Sequence, residues 1–238
     1  MRALLLLLYL AGPACATDAV RLTRGREVFP GVQGTPRVVT GVPEAARGRI
    51  NRALAQADTR GRAAAKDCTK AEHAVHPETT EASTWSRQVE VTQAGPRWLS
   101  VLITDGGDCA GPHPFDDLYA LVFELRTGRL VDWAQVLPHD LAGRTVVGTA
   151  ADGARIGIVT SPGLLALAQR GAEAECADAL RDDAAGFVLW PAADGLTARP
   201  VGMSHYNSAM CAAPLVLPGA AAIPASPPAV APAPAPPR

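Results

Sequence analysis

Asp105, Asp108, His113, Asp116 and Asp117 crowd one short stretch of this 238-residue chain, and His205, within Gly202-Met203-Ser204-His205-Tyr206, adds an imidazole near its end. Imidazole titrates near neutral pH, so His113 oriented by a carboxylate could serve as a general base, and His113 with Asp116 could bind a divalent metal. The rest of the sequence does not supply the partners of such chemistry. It carries neither His-Glu-x-x-His nor Gly-x-Ser-x-Gly, and no cysteine is expected to stay a free thiol. A plainer role accounts for the same residues: Gly111 and Pro112 shape a turn, His113 fixes it by bonding a backbone carbonyl, and Asp116 and Asp117 are solvated or cap the next element of the chain. That structural role is the preferred reading of His113 and His205. If the loop meets a ligand, Gly111, His113, Asp116, Asp117 and His205 are the residues to meet it; no catalytic residue, metal or cofactor is expected.

Trp85, Trp98, Trp133 and Trp190 could stack on sugar rings, although strand tryptophans more often pack in a core. His73 and His76 lie in a polar loop and read as solvated loop residues rather than a surface metal pair.

The cysteines place the chain in a compartment. Residues 1–16 hold one charge at Arg2, an apolar run from Ala3 to Ala11 and the breaker Gly12-Pro13, which is the layout of a cleavable signal peptide. The run is shorter than the roughly 20 residues that cross a bilayer. Ala14-Cys15-Ala16 offers small residues for cleavage after Ala16, and the rival is lipoprotein processing at Cys15. Cleavage leaves Cys68, Cys109, Cys176 and Cys211, an even set that in an exported chain implies disulfides. No two lie at metal-knuckle spacing. Three pairings are open; Cys68 with Cys109 and Cys176 with Cys211 is favoured because each closes a moderate loop within one half of the chain.

Charge excludes one class of partner. Lys+Arg 22 against Asp+Glu 23 gives −1, and loss of Arg2 makes it −2, without a basic patch for nucleic acid. No second apolar run reaches spanning length, so no membrane span is expected.

The elements that must position these residues read as one domain over residues 35–218, after a leader at 17–34 and before a Pro/Ala-rich tail at 219–238 expected to be disordered. From Pro43-Glu44, residues Ala46, Ile50, Ala53, Leu54 and Ala57 recur at helical intervals. Trp85 to Thr92 and Arg97 to Thr104 alternate around Gln93-Ala94-Gly95-Pro96 and predict a β-hairpin. Leu118 to Leu125, turning at Thr127-Gly128 into Leu130 to Trp133, predicts a second hairpin in the same sheet. Ser161-Pro162 caps a second helix whose stripe runs through Leu164, Leu165, Leu167 and Ala168 to Cys176 and Leu180. Phe187 to Trp190, Leu196 to Val201 and Pro214 to Leu217 are closing strands. This order predicts an α+β fold: an antiparallel sheet built from hairpins, with two packed helices.

Cys109-Ala110-Gly111-Pro112-His113-Pro114, followed by Leu121-Val122-Phe123-Glu124-Leu125-Arg126-Thr127-Gly128-Arg129-Leu130-Val131-Asp132-Trp133, resembles the extracellular domain of unknown function found in RsiV-type anti-sigma factors and PdaC-type peptidoglycan deacetylases. That family shows a Gly-Gly-Ala-His-Pro loop, often after Cys, then a strand, Thr-Gly and an apolar run. Its closing strands are similar to Phe187-Val188-Leu189-Trp190, Asp194-Gly195-Leu196 and Pro214-Leu215-Val216-Leu217. Ala110 stands for the first Gly of the loop and Pro112 for its Ala. The resemblance, over about residues 50–218, implies a periplasmic or secreted, non-catalytic envelope module that binds a cell-wall-acting protein, such as a lysozyme-like one, or a peptidoglycan fragment. The alternative is a small envelope hydrolase using His113 and its neighbouring Asp residues.

Overall fold

The computed structural model describes residues 19–78, 84–111, 113–217 and 229–230; the expected signal peptide, Pro112 and all but two residues of the tail lie outside the described residues. The leader is not separate from the domain. Its three short strands, β1 (Arg21–Thr23), β2 (Glu27–Phe29) and β3 (Val32–Gln33), bury Leu22 and Val32 in the core. Next, β4 (Arg37–Thr40) pairs antiparallel with β1 and leads into α1 (Glu44–Val75).

The predicted helix thus begins where Pro43-Glu44 place it but runs far beyond Ala57. Its buried stripe continues through Ala46, Ile50, Leu54, Ala57, Gly61, Ala65 and Cys68, steps of three and four that keep one face inward, with Asp58 buried beside it; the helix also takes in His73, expected in a loop. Gly61 lets this face touch the sheet, because a Cβ there would stand 2.3 Å from Arg87 Nη1. The helix start is pinned by the Thr127-Gly128 turn: Gly128 adopts φ +67 with Ala46 O where a Cβ would be, and Arg49 Nε donates to Thr127 O at 2.7 Å.

The strands β5 (Ser86–Ala94), β6 (Trp98–Gly107) and β7 (Phe115–Glu124) form an antiparallel meander, extended by β3 and β2 on its edge. Only Phe123↔Leu130 remains of the expected second hairpin, as an isolated bridge. The cause is local: Asp132 Oδ1 accepts the Ala134 N–H at 3.2 Å and turns Trp133–Gln135 into a 3₁₀ turn that buries Trp133. A hairpin that the alternation did not announce comes next, β8 (Arg144–Thr149) with β9 (Arg155–Thr160).

The second predicted helix is two. Ser161 caps α2 (Pro162–Gly171), its Oγ accepting from Leu164 N at 3.1 Å, but the helix stops at Gly171 and α3 (Ala174–Asp183) carries Cys176 and Leu180. The chain then gives β10 (Gly186–Ala192), β11 (Gly195–Val201), α4 (His205–Cys211) and β12 (Leu215–Val216), closing a second five-stranded sheet in the order β12-β11-β10-β9-β8. From the tail, β13 (Ala229–Val230) pairs parallel with β1. The fold is α+β with hairpin-built antiparallel sheets, as expected, but with three sheets and four helices among the described residues in place of one and two.

One continuous core joins both five-stranded sheets, with β10 packed on β5, β6 and β7. All four tryptophans are buried; Trp98 meets Trp133 edge to face, centroids 5.6 Å apart. The disulfides are Cys68–Cys109 and Cys176–Cys211, the favoured pairing. No helix among the described residues is long and apolar enough to cross a membrane.

Candidate functional site

The β6–β7 ladder sets Asp105 opposite Asp117 and Gly106 opposite Asp116, so the Asp cluster of the sequence is divided by register. Asp105 is a correction to that cluster. It sits on β6 and is fully buried, its two oxygens each 2.6 Å from the Arg87 guanidinium, with Trp85 Nε1 donating to Oδ1 at 3.2 Å. Arg87 also donates to Ala57 O at 2.8 Å and to Asp152 Oδ2 at 2.8 Å, and Tyr119 Oη donates to that same oxygen at 2.8 Å. Arg60 brings a second cation within 3.5 Å of it. Two cations face two carboxylates, so the cluster is neutral; Arg87, Asp105 and Tyr119 are satisfied by hydrogen bonds, while Arg60 Nε meets Asp152 as an ion pair without a hydrogen bond. Burial alone would lower the Arg87 pKa, but the bonds and charge of Asp105 and neighbouring groups raise it. Burial pushes up both the Asp105 carboxyl, against the opposing pull of Arg87, and the Tyr119 phenol. This is a clamp between α1, β5, β6, β7 and the β8–β9 turn.

Asp116 and Asp117 do the opposite. They stand at the start of β7, where strand alternation sends Asp116 outward and Asp117 inward. Asp116 Oδ2 pairs with Arg199 Nη2 of β11 at 3.0 Å, and Arg199 Nε donates to Ala212 O at 3.0 Å, tying β7, β11 and the end of α4 together. Asp117 accepts the Ala151 N–H and, at 2.9 Å, the Leu118 N–H; burial pushes its carboxyl above the ordinary carboxylate range against those two bonds.

Between these elements lies a cavity of about 350 Å³ at the seam of the two five-stranded sheets. Its walls are Pro114, Phe115, Asp116, Asp117 and Leu118 from β7 and the residue before it, Thr149 and Ala151 from the β8 end, Arg199 to Met203 from β11 onward, and His205, Ser208 and Ala209 from α4. His113 reaches the rim through His205, the two rings parallel with centroids 6.3 Å apart. Of the five residues singled out in the sequence, Asp116, Asp117 and His205 line the cavity, His113 flanks it and Gly111 does not line it. The expected bond from His113 to a backbone carbonyl is not formed among the described residues, and the ring is exposed. Asp108 stands apart, exposed in the loop, its carbonyl accepting from Thr84 Oγ1.

Ala110 holds φ +57, the left-handed region that glycine favours, at the position where the loop's first Gly is expected. Arg199 was not singled out from the sequence. Its signal was a lone charge within the strand Leu196 to Val201. Among the described residues, no three His, Cys, Asp or Glu side chains come together as a metal-holding group.

Fold and site together define an α+β domain, cross-linked by two disulfides, with a half-polar cavity between its sheets. No family model matches the chain, and no curated protein does.

Proposed function

We propose that this protein is an exported, non-catalytic binding module of the cell envelope, taking a wall-acting protein or a peptidoglycan fragment at the cavity between β7, β11 and α4. One observation carries the reading: side chains from separate parts of the chain converge there with hydrogen-bonding capacity to spare. The His113 and His205 rings and the Thr149 and Ser208 hydroxyls form no side-chain hydrogen bonds among the described residues, while Phe115, Pro200 and Met203 supply apolar wall. Two disulfides suit an oxidising compartment. The resemblance of the Cys109 to Pro114 loop supports the envelope, and the glycine-like backbone of Ala110 is in keeping with it.

An envelope hydrolase is the second reading, favoured by the raised Asp117 carboxyl in a cavity wall that also carries the His205 imidazole. Titration of lysozyme and of purified muropeptides into the chain, followed by amide chemical shifts, separates the two. The binding reading expects shifts at residues 114–118 and 199–209, lost in Asp116→Asn and His205→Ala, with no new reducing ends or free amines released. Turnover that disappears in His113→Ala while the fold persists decides for the hydrolase. No shift with either probe removes both as ligands of this cavity.

A further inference from the structure

We infer that the Cys176–Cys211 bridge is a reducible latch on this cavity, opened by a dithiol protein that docks on Tyr206 and Met210; the inference rests on the reading of the cavity as the binding site. The wall formed by α4 is held from outside itself. None of its seven residues is buried, and a helix of that length is not stable alone. Its ties are the disulfide to α3, the Asp183 carboxylate accepting from Ser204 N at 2.6 Å and Asn207 Nδ2 at 3.0 Å, and the bond from Arg199 to Ala212 O. Of these only the disulfide is covalent, and it joins the helix that supplies His205, Ser208 and Ala209 to the rest of the domain.

A second cleft, of about 440 Å³, lies on the other side of α4 and is lined by both Cys176 and Cys211 with Glu173, Tyr206 and Met210. An attacking thiolate therefore has a route to the bridge. Beside that route stand Tyr206 and Met210, 73% and 65% exposed and one helical turn apart. Tyr and Met are residue types enriched in protein interfaces, and here they flank a bond that only a thiol partner can exchange. The other bridge is covered on one side: Cys68 is 3% exposed and packed with Val32, Ala65 and Trp85, while Cys109 is half-buried in its loop with no exposed Tyr or Met beside it.

The chemistry balances without a further reactant. One thiolate of the partner bonds to a sulfur of the bridge and displaces the other as a thiolate, which takes up a proton. The partner's second thiol then attacks the mixed disulfide and releases the remaining cysteine. Two electrons and two protons pass to Cys176 and Cys211, and the partner leaves as a disulfide. The cavity wall then has no covalent tie to α3.

The test uses the folded, oxidised full chain, reduced stepwise with dithiothreitol or with a thioredoxin kept reduced, trapped with N-ethylmaleimide and mapped by peptide mass, alongside hydrogen exchange. Cys176 and Cys211 should become alkylated at about tenfold lower dithiothreitol than Cys68 and Cys109. Amides of residues 204–212 should then exchange faster while those of β6 and β7 keep their protection. Both bridges opening together, or α4 staying protected with its bridge open, overturns the latch. Tyr206→Ala with Met210→Ala should slow reduction by thioredoxin about tenfold and leave the dithiothreitol rate unchanged; equal rates with thioredoxin overturn the docking surface. None of these readouts needs the cavity's ligand. A latch that opens as described in a chain that binds neither lysozyme nor muropeptide sinks the site reading alone.

Discussion

Two clusters in this protein set an arginine against aspartates of the β6–β7 ladder, and they have opposite fates. Around Arg87 the side chains of Arg87, Asp105 and Asp152 are wholly buried and spend their polar atoms on one another and on neighbouring backbone. Around Arg199 the pair with Asp116 leaves the aspartate 49% exposed and the arginine 18%, beside a cavity and two imidazoles. The same residue types make a fastener in one place and a surface open to a ligand in the other. Enclosure makes the difference: α1 and the β8–β9 turn cover the first cluster, while only the loosely held α4 covers the second.

The sharpest way to break this comparison is to remove the buried cation. Arg87→Ala leaves Asp105 without its bidentate partner in the core and should cost about 3–5 kcal/mol in denaturant unfolding, or prevent folding. A loss under about 1 kcal/mol, the range of a surface pair, would put both clusters in one class. Gly61→Ala probes the same enclosure from the helix side. Alanine is the better helix former by about 1 kcal/mol, yet its Cβ would press on Arg87 Nη1, so a net loss of roughly 1–3 kcal/mol is expected by thermal or chemical melting. A stabilised variant would show that the guanidinium has room to move. Asp116→Asn should have the smallest effect on stability, under about 1 kcal/mol, because its pair is half open to water. It should still abolish ligand-induced shifts at residues 199–209; a large stability loss would make the Asp116–Arg199 pair a second fastener.

The disulfides repeat the contrast. Their loops span 41 and 35 residues, so chain entropy alone gives them nearly equal weight. They differ in what they hold: Cys68 is part of a packed cluster, whereas Cys176 and Cys211 hold a helix that buries nothing.

Much of this architecture was legible in the residues. The apolar repeat from Ala46 to Ala57 announced α1, and alternation announced β5, β6 and β7, because period 3.6 and period 2 are set by backbone geometry alone. Loop length favoured the observed cysteine pairs, and clustering of His and Asp pointed at residues 113–117. Other features had no local signature. The β8–β9 hairpin is mostly half-buried or exposed on β8, so its apolar alternation is weak. Asp152 joins Arg87 and Asp105 only after folding, since it lies far along the chain from their hairpin.

The sequence by itself determined that α1 is a helix, that β5, β6 and β7 are strands and which cysteines favour one another, since those depend on neighbours along the chain. Only the tertiary structure decided that Asp105 is locked away while Asp116 faces a cavity. That outcome depends on which surfaces are covered when α1, the β8–β9 turn and α4 come to rest on the sheets, and residues distant in sequence settle it together.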